Sequence, residues 1–334
     1  MSLGEFTLID RIRARSRGQR DVVLGIGDDA ALLQPRAGEQ IAVTMDTLNE
    51  SVHFPAGSDP YDIGWKTLAV NLSDLAAMAA RPSWCTLSLS LPAVDEAWLS
   101  RFADGFFALA DLHGIALVGG DTTRGPLALS VTAMGQVLPQ QALRRDAARL
   151  GDDVWVTGTL GDAAAALQLW LAGELSVSEP APAALLPLWL RLQRPTPRVE
   201  AGRALAGLAH AAIDVSDGLF ADLGHICQRS GVAAELELAA LPASAALQAL
   251  CAGKDAQRWQ YQCAGGDDYE LCFTAPVERR GLIQAALQAL SVPVSRIGRI
   301  VAGEGICARA TDGQRWAPQG AGFAHFHDAA SNPS

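Results

Sequence analysis

The chain has 334 residues, 49% of them hydrophobic and 19% charged, a length that suits two compact cores of about 150 residues each and a composition that excludes a disordered polymer. The formal charge is -10 and the only lysines are Lys66 and Lys254, so there is no basic stripe for nucleic acid or an anionic membrane. No apolar run approaches the roughly 20 residues of a membrane span, and the opening segment carries Glu5, Asp10, Arg11 and Arg13, so a soluble cytoplasmic protein is expected.

In chain order, periodicity predicts strands over 22–26 and 40–45, then a long helix over 60–80 that Asp59 caps and Pro60 opens. A strand over 84–91, a helix over 95–112, a short buried strand over 115–118 and a strand over 127–137 complete an α/β unit. A second unit is expected from Gly151, with a strand over 153–157 and a glycine turn over 158–162 leading into an Ala-rich helix. Helices over 182–192, 198–208 and 217–229 and strands over 232–238, 269–274, 294–300 and 306–310 follow. The expected domains are therefore 1–150 and 151–328. Six cysteines show neither a CxxC pair nor zinc spacing, and buried free thiols are expected; His325 and His327 have no third ligand nearby.

The chemically informative residues are aspartates at element ends or in apolar runs. Asp28 and Asp29 follow Gly25 and Gly27, Asp46 ends a strand, Asp74 interrupts an apolar helix, and Asp121 follows Gly119 and Gly120. Thr67, Asn71 and Asp74 share one stripe at helical spacing. Any one of these is equally well a turn, a cap or the wet face of a helix. Several in one unit point instead to shared cations, and oxygen ligands without Cys or His select hard ions such as magnesium. An acidic pocket can hold phosphates only if cations neutralise it, so more than one magnesium is expected. There is no GxxxxGK[ST] loop and no protein-kinase signature. Further on, Asp214, Ser216 and Asp217 open an amphipathic helix, with Ser216 or Asp217 as a plain cap the alternative. Gly265, Gly266, Asp267, Asp268, Tyr269 and Glu270 precede a strand, with a solvated turn the alternative.

Together with the segment 4–6, His53 and Phe54, these motifs, in this order and over the chain as far as Phe326, resemble the thiamine-monophosphate kinases. The resemblance implies the two-domain fold of the aminoimidazole-ribonucleotide synthetase superfamily, with an α/β N-terminal domain that dimerises through its sheet and an α+β C-terminal domain. It implies several magnesium ions held by Asp29, Thr44, Met45 through its carbonyl, Asp46, Asp74, Asp121, Asp214 and Asp217. It further implies ATP on Gly120, Asp121, Arg145 and Ser216, and thiamine monophosphate on His53, Asp267 and Phe323, with Asp267 where the family usually has glutamate. No general base is expected, because a phosphate with a second pKa of roughly 6 is already ionised at neutral pH. Direct in-line transfer would give thiamine diphosphate and ADP. The alternatives are another ATP-using member of the superfamily or a non-catalytic magnesium-nucleotide sensor. A selenophosphate synthetase would want a reactive cysteine near the N-terminus, and the first cysteine here is Cys85.

Overall fold

The computed structural model describes residues 15–16 and 21–320, so the segment 4–6 and Phe323, His325 and His327 lie outside the described residues. The first unit comprises β1 (Val22–Leu24), β2 (Leu32–Leu33), β3 (Gln40–Asn49), α1 (Pro60–Ala77), β4 (Arg81–Leu91), α2 (Glu96–His113), β5 (Ala116–Arg124) and β6 (Ala128–Val137). Its sheet has the order β3-β6-β4-β5, with β4 and β5 parallel and the other pairs antiparallel. Strands β1 and β2 form a separate ribbon whose Val22 and Leu33 pack on Trp84, Ala116 and Val118.

The ends of the two long helices follow from local chemistry. Pro60 opens α1 without wasting a backbone donor, and the Asp59 carboxylate accepts the Tyr61 N–H at 2.9 Å. Asp95 accepts the N–H groups of Ala97 and Trp98, and α2 stops at Gly114 in the left-handed region. Helix α1 is buried nearly all round, because the second unit covers the side turned away from the sheet.

That second unit contains β7 (Asp153–Thr157), α3 (Asp162–Leu171), α4 (Leu186–Gln193), α5 (Val199–Leu205), β8 (Ala211–Asp214), α6 (Leu219–Ser230) and β9 (Ala233–Glu237). It continues with α7 (Ala245–Leu250), α8 (Asp255–Ala264), β10 (Leu271–Ala275), α9 (Arg280–Ala289), β11 (Val294–Val301), β12 (Gly305–Arg309) and β13 (Arg315–Trp316). Seven strands in the order β13-β12-β9-β11-β7-β10-β8 form its sheet. The largest apolar cluster runs from Leu68, Leu72 and Phe102 of the first unit to Trp155, Leu271 and Phe273 of the second. One continuous core therefore fixes α1 between the two sheets. All six cysteines are free and five of them are buried.

Several expected boundaries move, those of the strands for a long-range reason. The strand expected over 40–45 runs to Asn49, because it pairs with β6 at every residue. The strand expected over 115–118 continues to Arg124 through pairing with β4, so Asp121 lies in a strand and does not start a loop. The helix expected from Asp217 starts at Leu219, with Gly218 at the cap position expected for Ser216 or Asp217. The helices expected over 182–192 and 198–208 contract to α4 and α5.

Candidate active site

On α1 the stripe of Thr67, Asn71 and Asp74 is not a wet face. Thr67 is 1% exposed and Asn71 0%. The Thr67 hydroxyl donates to the Ile63 carbonyl at 2.7 Å, which frees nothing for solvent. Asn71 donates to the Thr67 carbonyl at 3.2 Å and accepts the Asp46 N–H at 3.1 Å. One helical turn on, the Thr44 hydroxyl donates to the Asp74 carboxylate. Alternate residues of β3 face α1, so Thr44 and Asp46 meet Asp74 along this seam, while Met45 points outward and is 61% exposed.

The two acidic motifs of the second unit fold against each other. The N–H groups of Val215, Asp267 and Tyr269 donate at 2.8 Å to the carbonyls of Glu270, Ser216 and Val215 respectively, prolonging the β8–β10 pairing beyond the strands. Gly266 allows this approach, since a Cβ there would stand 2.4 Å from the Ser216 carbonyl oxygen. The loop of Ser216, Asp217 and Gly218 is held by Asp222, whose Oδ2 accepts their three N–H groups at 3.0, 3.1 and 3.1 Å. Asp222 was not among the sequence candidates. Its signal is an aspartate on the buried side of an amphipathic helix, four residues after the capping glycine.

Direct bonds join the two halves. Ser73 of α1 donates to Asp214 Oδ2 at 2.8 Å. Lys66 of α1 pairs with Asp267 Oδ2 at 3.2 Å and donates to the His53 carbonyl at 3.1 Å. His53 Nδ1 accepts the Asn49 N–H at 2.9 Å, which places the ring proton on Nε2 in the neutral imidazole.

A cleft of about 1210 Å³ opens between the units, with Asp46, Asp74, Asp214, Ser216, Asp217, His53 and Asp267 in its wall and no lysine or arginine among its lining residues. Burial, then the charges of Asp74 and Asp217, push Asp46 up to about 6. Burial also raises Asp74, against the Thr44 hydrogen bond and the Arg145 charge. Asp214 is pushed well above the carboxylate range, first by burial and then by Asp74, with Ser73 and Arg145 opposing. These shifts record carboxylates that crowd one another away from water, an arrangement that a hard cation relieves.

The donor set fits magnesium: carboxylate and hydroxyl oxygens, with no cysteine and one imidazole already engaged through Nδ1. Among the described residues, no three acidic, histidine or cysteine side chains gather closely enough to hold an ion by themselves. Magnesium commonly keeps open positions for phosphate and water, so a partial protein shell is what this ion needs.

Three expected residues stand elsewhere. Gly120 and Asp121 lie on β5, at the opposite edge of the four-stranded sheet from Asp46 on β3, three strand spacings or about 14 Å away. The ribbon that carries exposed Asp29 packs on the same side as β5. Arg145 is next to Arg144, which bridges Ala211 of β8, and its charge reaches both Asp74 and Asp214.

Two sheets, a shared helix and an acidic cleft between them define the two-domain architecture of the AIR synthase related proteins: the model of their N-terminal domain matches residues 27–137 and that of their C-terminal domain residues 149–309. The chain is 47% identical over 328 residues to thiamine-monophosphate kinase of Escherichia coli strain K12, covering 98% of this chain and 99% of that one. The crystal structure of thiamine-monophosphate kinase from Stenotrophomonas maltophilia K279a superposes with a TM-score of 0.87 at 61% identity, over 94% of this chain and 98% of that one. AaThiL complexed with AMPPCP and TMP superposes with a TM-score of 0.77 at 35% identity, over 98% and 99%. The chain belongs to the thiamine-monophosphate kinase family.

Proposed function

We propose that the chain transfers the terminal phosphoryl group of ATP to thiamine monophosphate, giving thiamine diphosphate and ADP. The observation that carries this reading is the convergence of Asp46 and Asp74 from one unit with Asp214 and Asp217 from the other on a single cleft. Relatives of the same length bear the name of this activity, and AaThiL holds an ATP analogue together with TMP.

Asp46, Asp74, Asp214 and Asp217, with Thr44 and the Met45 carbonyl, would hold magnesium. Magnesium held there would neutralise charge between two anionic substrates. Ser216 and Arg145 serve the nucleotide phosphates, with the Ser216 loop braced by Asp222. His53 and Asp267 receive the organic part of the acceptor, and Phe323 belongs to the same set. No side chain has to remove a proton, since the acceptor oxygen is ionised at neutral pH.

The same reading calls for a homodimer and for two functional domains that divide near residue 150. Strands β3 and β5 are both open edges of the sheet, and Ile41, Val43 and Met45 expose an apolar stripe on β3. A second copy set edge to edge would bring Gly120, Asp121 and Asp29 of that copy to Asp46, which supports counting them in the site. No helix of the described residues is long and apolar enough to cross a membrane. A cytoplasmic location suits an ATP-consuming reaction.

The test is incubation with magnesium-ATP and thiamine monophosphate, followed by chromatography for thiamine diphosphate. Stoichiometric ADP and thiamine diphosphate are expected. Binding of magnesium-ATP with no consumption when thiamine monophosphate is added would make the protein a sensor instead.

A further inference from the structure

Lys66 is one of two lysines in the chain, and its side chain is only 3% exposed. It lies on α1, about two turns before Asp74. Its ammonium group touches two cleft-wall residues from behind: the His53 carbonyl at 3.1 Å and Asp267 Oδ2 at 3.2 Å. The other Asp267 oxygen accepts the Tyr269 hydroxyl at 3.0 Å. Asp267 has φ 66°, a left-handed conformation that is costly for a residue with a Cβ and that persists where surrounding contacts impose it.

Asp267 therefore differs in kind from the other cleft carboxylates. It has a protein cation as partner, whereas Asp46, Asp74 and Asp214 form no ion pair among the described residues. A carboxylate neutralised by an ammonium group competes poorly for a divalent ion but remains a fixed hydrogen-bond acceptor. A buried lysine deprived of its counter-charge is expensive, so the pair has to persist through turnover.

We propose that Lys66 is a positioning residue that withdraws Asp267 from the metal-binding carboxylates and locks it, with the His53 loop, into a wall that receives the organic part of the acceptor substrate. The cleft is thereby divided. Its ion-hungry end takes phosphates, and its lysine-paired end takes a donor group such as the amino substituent of a heteroaromatic ring. This inference rests on the kinase reading above and adds the residue that sets acceptor specificity.

The test compares the full-length protein with Lys66→Met, Asp267→Asn and the double variant, by steady-state kinetics and by equilibrium binding of thiamine monophosphate. Each single change is expected to raise the acceptor KM and Kd about 10- to 100-fold, with kcat and the KM for magnesium-ATP within about threefold. Because Lys66 acts through Asp267, the double variant should be no worse than the worse single one, within about threefold. A parallel rise in the KM for magnesium-ATP, or effects that multiply in the double variant, would mean a general structural role and overturn the inference. Should Lys66→Met not fold, Lys66→Gln keeps a donor without the charge and takes its place. Asp267→Asn also decides alone: an unchanged Kd for thiamine monophosphate there refutes the inference. If the unaltered protein binds thiamine monophosphate yet makes no product, the kinase reading fails while the binding comparison still judges Lys66.

Discussion

Ser73 Oγ lies 2.8 Å from Asp214 Oδ2, so a hydroxyl on the helix of one unit meets a carboxylate that ends a strand of the other. Both side chains are buried, and this hydrogen bond opposes the rise that burial imposes on Asp214. Ser73→Ala should cost about 1–3 kcal/mol of stability, since it leaves a buried acceptor without its donor. It should also weaken magnesium binding, because Asp214 becomes harder to ionise. Urea denaturation and a magnesium titration measure the two effects; an unchanged midpoint would mean that the hydroxyl is dispensable.

Asp46 is held at about 6 in the folded chain against 3.8 for the ordinary side chain. Between those two values the folded state binds more protons than the unfolded state, so the metal-free protein loses stability as pH rises through that window, and above about 6 the cost is fully present. Asp46→Asn should therefore stabilise the metal-free protein at neutral pH by on the order of 1–3 kcal/mol while abolishing turnover. Thermal melting in chelator, beside a product assay in magnesium, checks both halves.

The same carboxylate must lose its proton to bind a cation. Magnesium affinity of the nucleotide-free protein should rise with pH through about 6 as Asp46 ionises, and go on rising above it because Asp214 holds its proton well above the carboxylate range, with proton release on binding throughout. Calorimetry in two buffers of different ionisation enthalpy reads the released protons directly. A flat response through about pH 6 would remove Asp46 from the metal set.

Asp222 accepts three consecutive N–H groups, and burial followed by the Asp217 charge pushes it up to about 7 while those donors pull it down. Asp222→Ala should leave three amides without their acceptor and loosen the loop that presents Ser216 and Asp217. A fall in kcat of about 100-fold or more is expected, with loss of hydrogen-exchange protection at residues 216–218. Full activity in this variant would show that the loop keeps its shape unaided.

Glu270 is fully buried and serves two arginines. Arg198 reaches it at 2.6 and 2.5 Å, Arg191 at 2.8 Å, and the Thr157 hydroxyl at 2.7 Å. Arg191 also donates to the Asp268 carbonyl at 2.8 Å, so the network anchors the loop that carries Asp267. Glu270→Gln should destabilise the protein by about 3–5 kcal/mol, the cost of leaving guanidinium charge buried and uncompensated. Denaturation midpoints give the answer, and a loss below about 1 kcal/mol would show that water compensates these arginines.

Local pattern carried much of this protein. The cap at Asp59 and Pro60 and the extents of the two long helices arise from near neighbours, and they are legible in sequence for that reason. The resemblance to a kinase family was carried by the same short motifs. What the sequence could not determine was which aspartates share a space. Asp46, Asp74 and Asp214 line one cleft because α1 is packed between two sheets, whereas Asp121 is carried to the far edge of one of them by an extra run of strand pairing. In the sequence Lys66 counts only as one of two lysines without a basic stripe, Asp222 does not stand out, and Glu270 closes an acidic motif for which a solvated turn is the alternative. Their roles come from partners such as Asp267, 201 positions from Lys66, or Arg191, 79 positions from Glu270, and only the folded chain brings such groups within hydrogen-bonding distance.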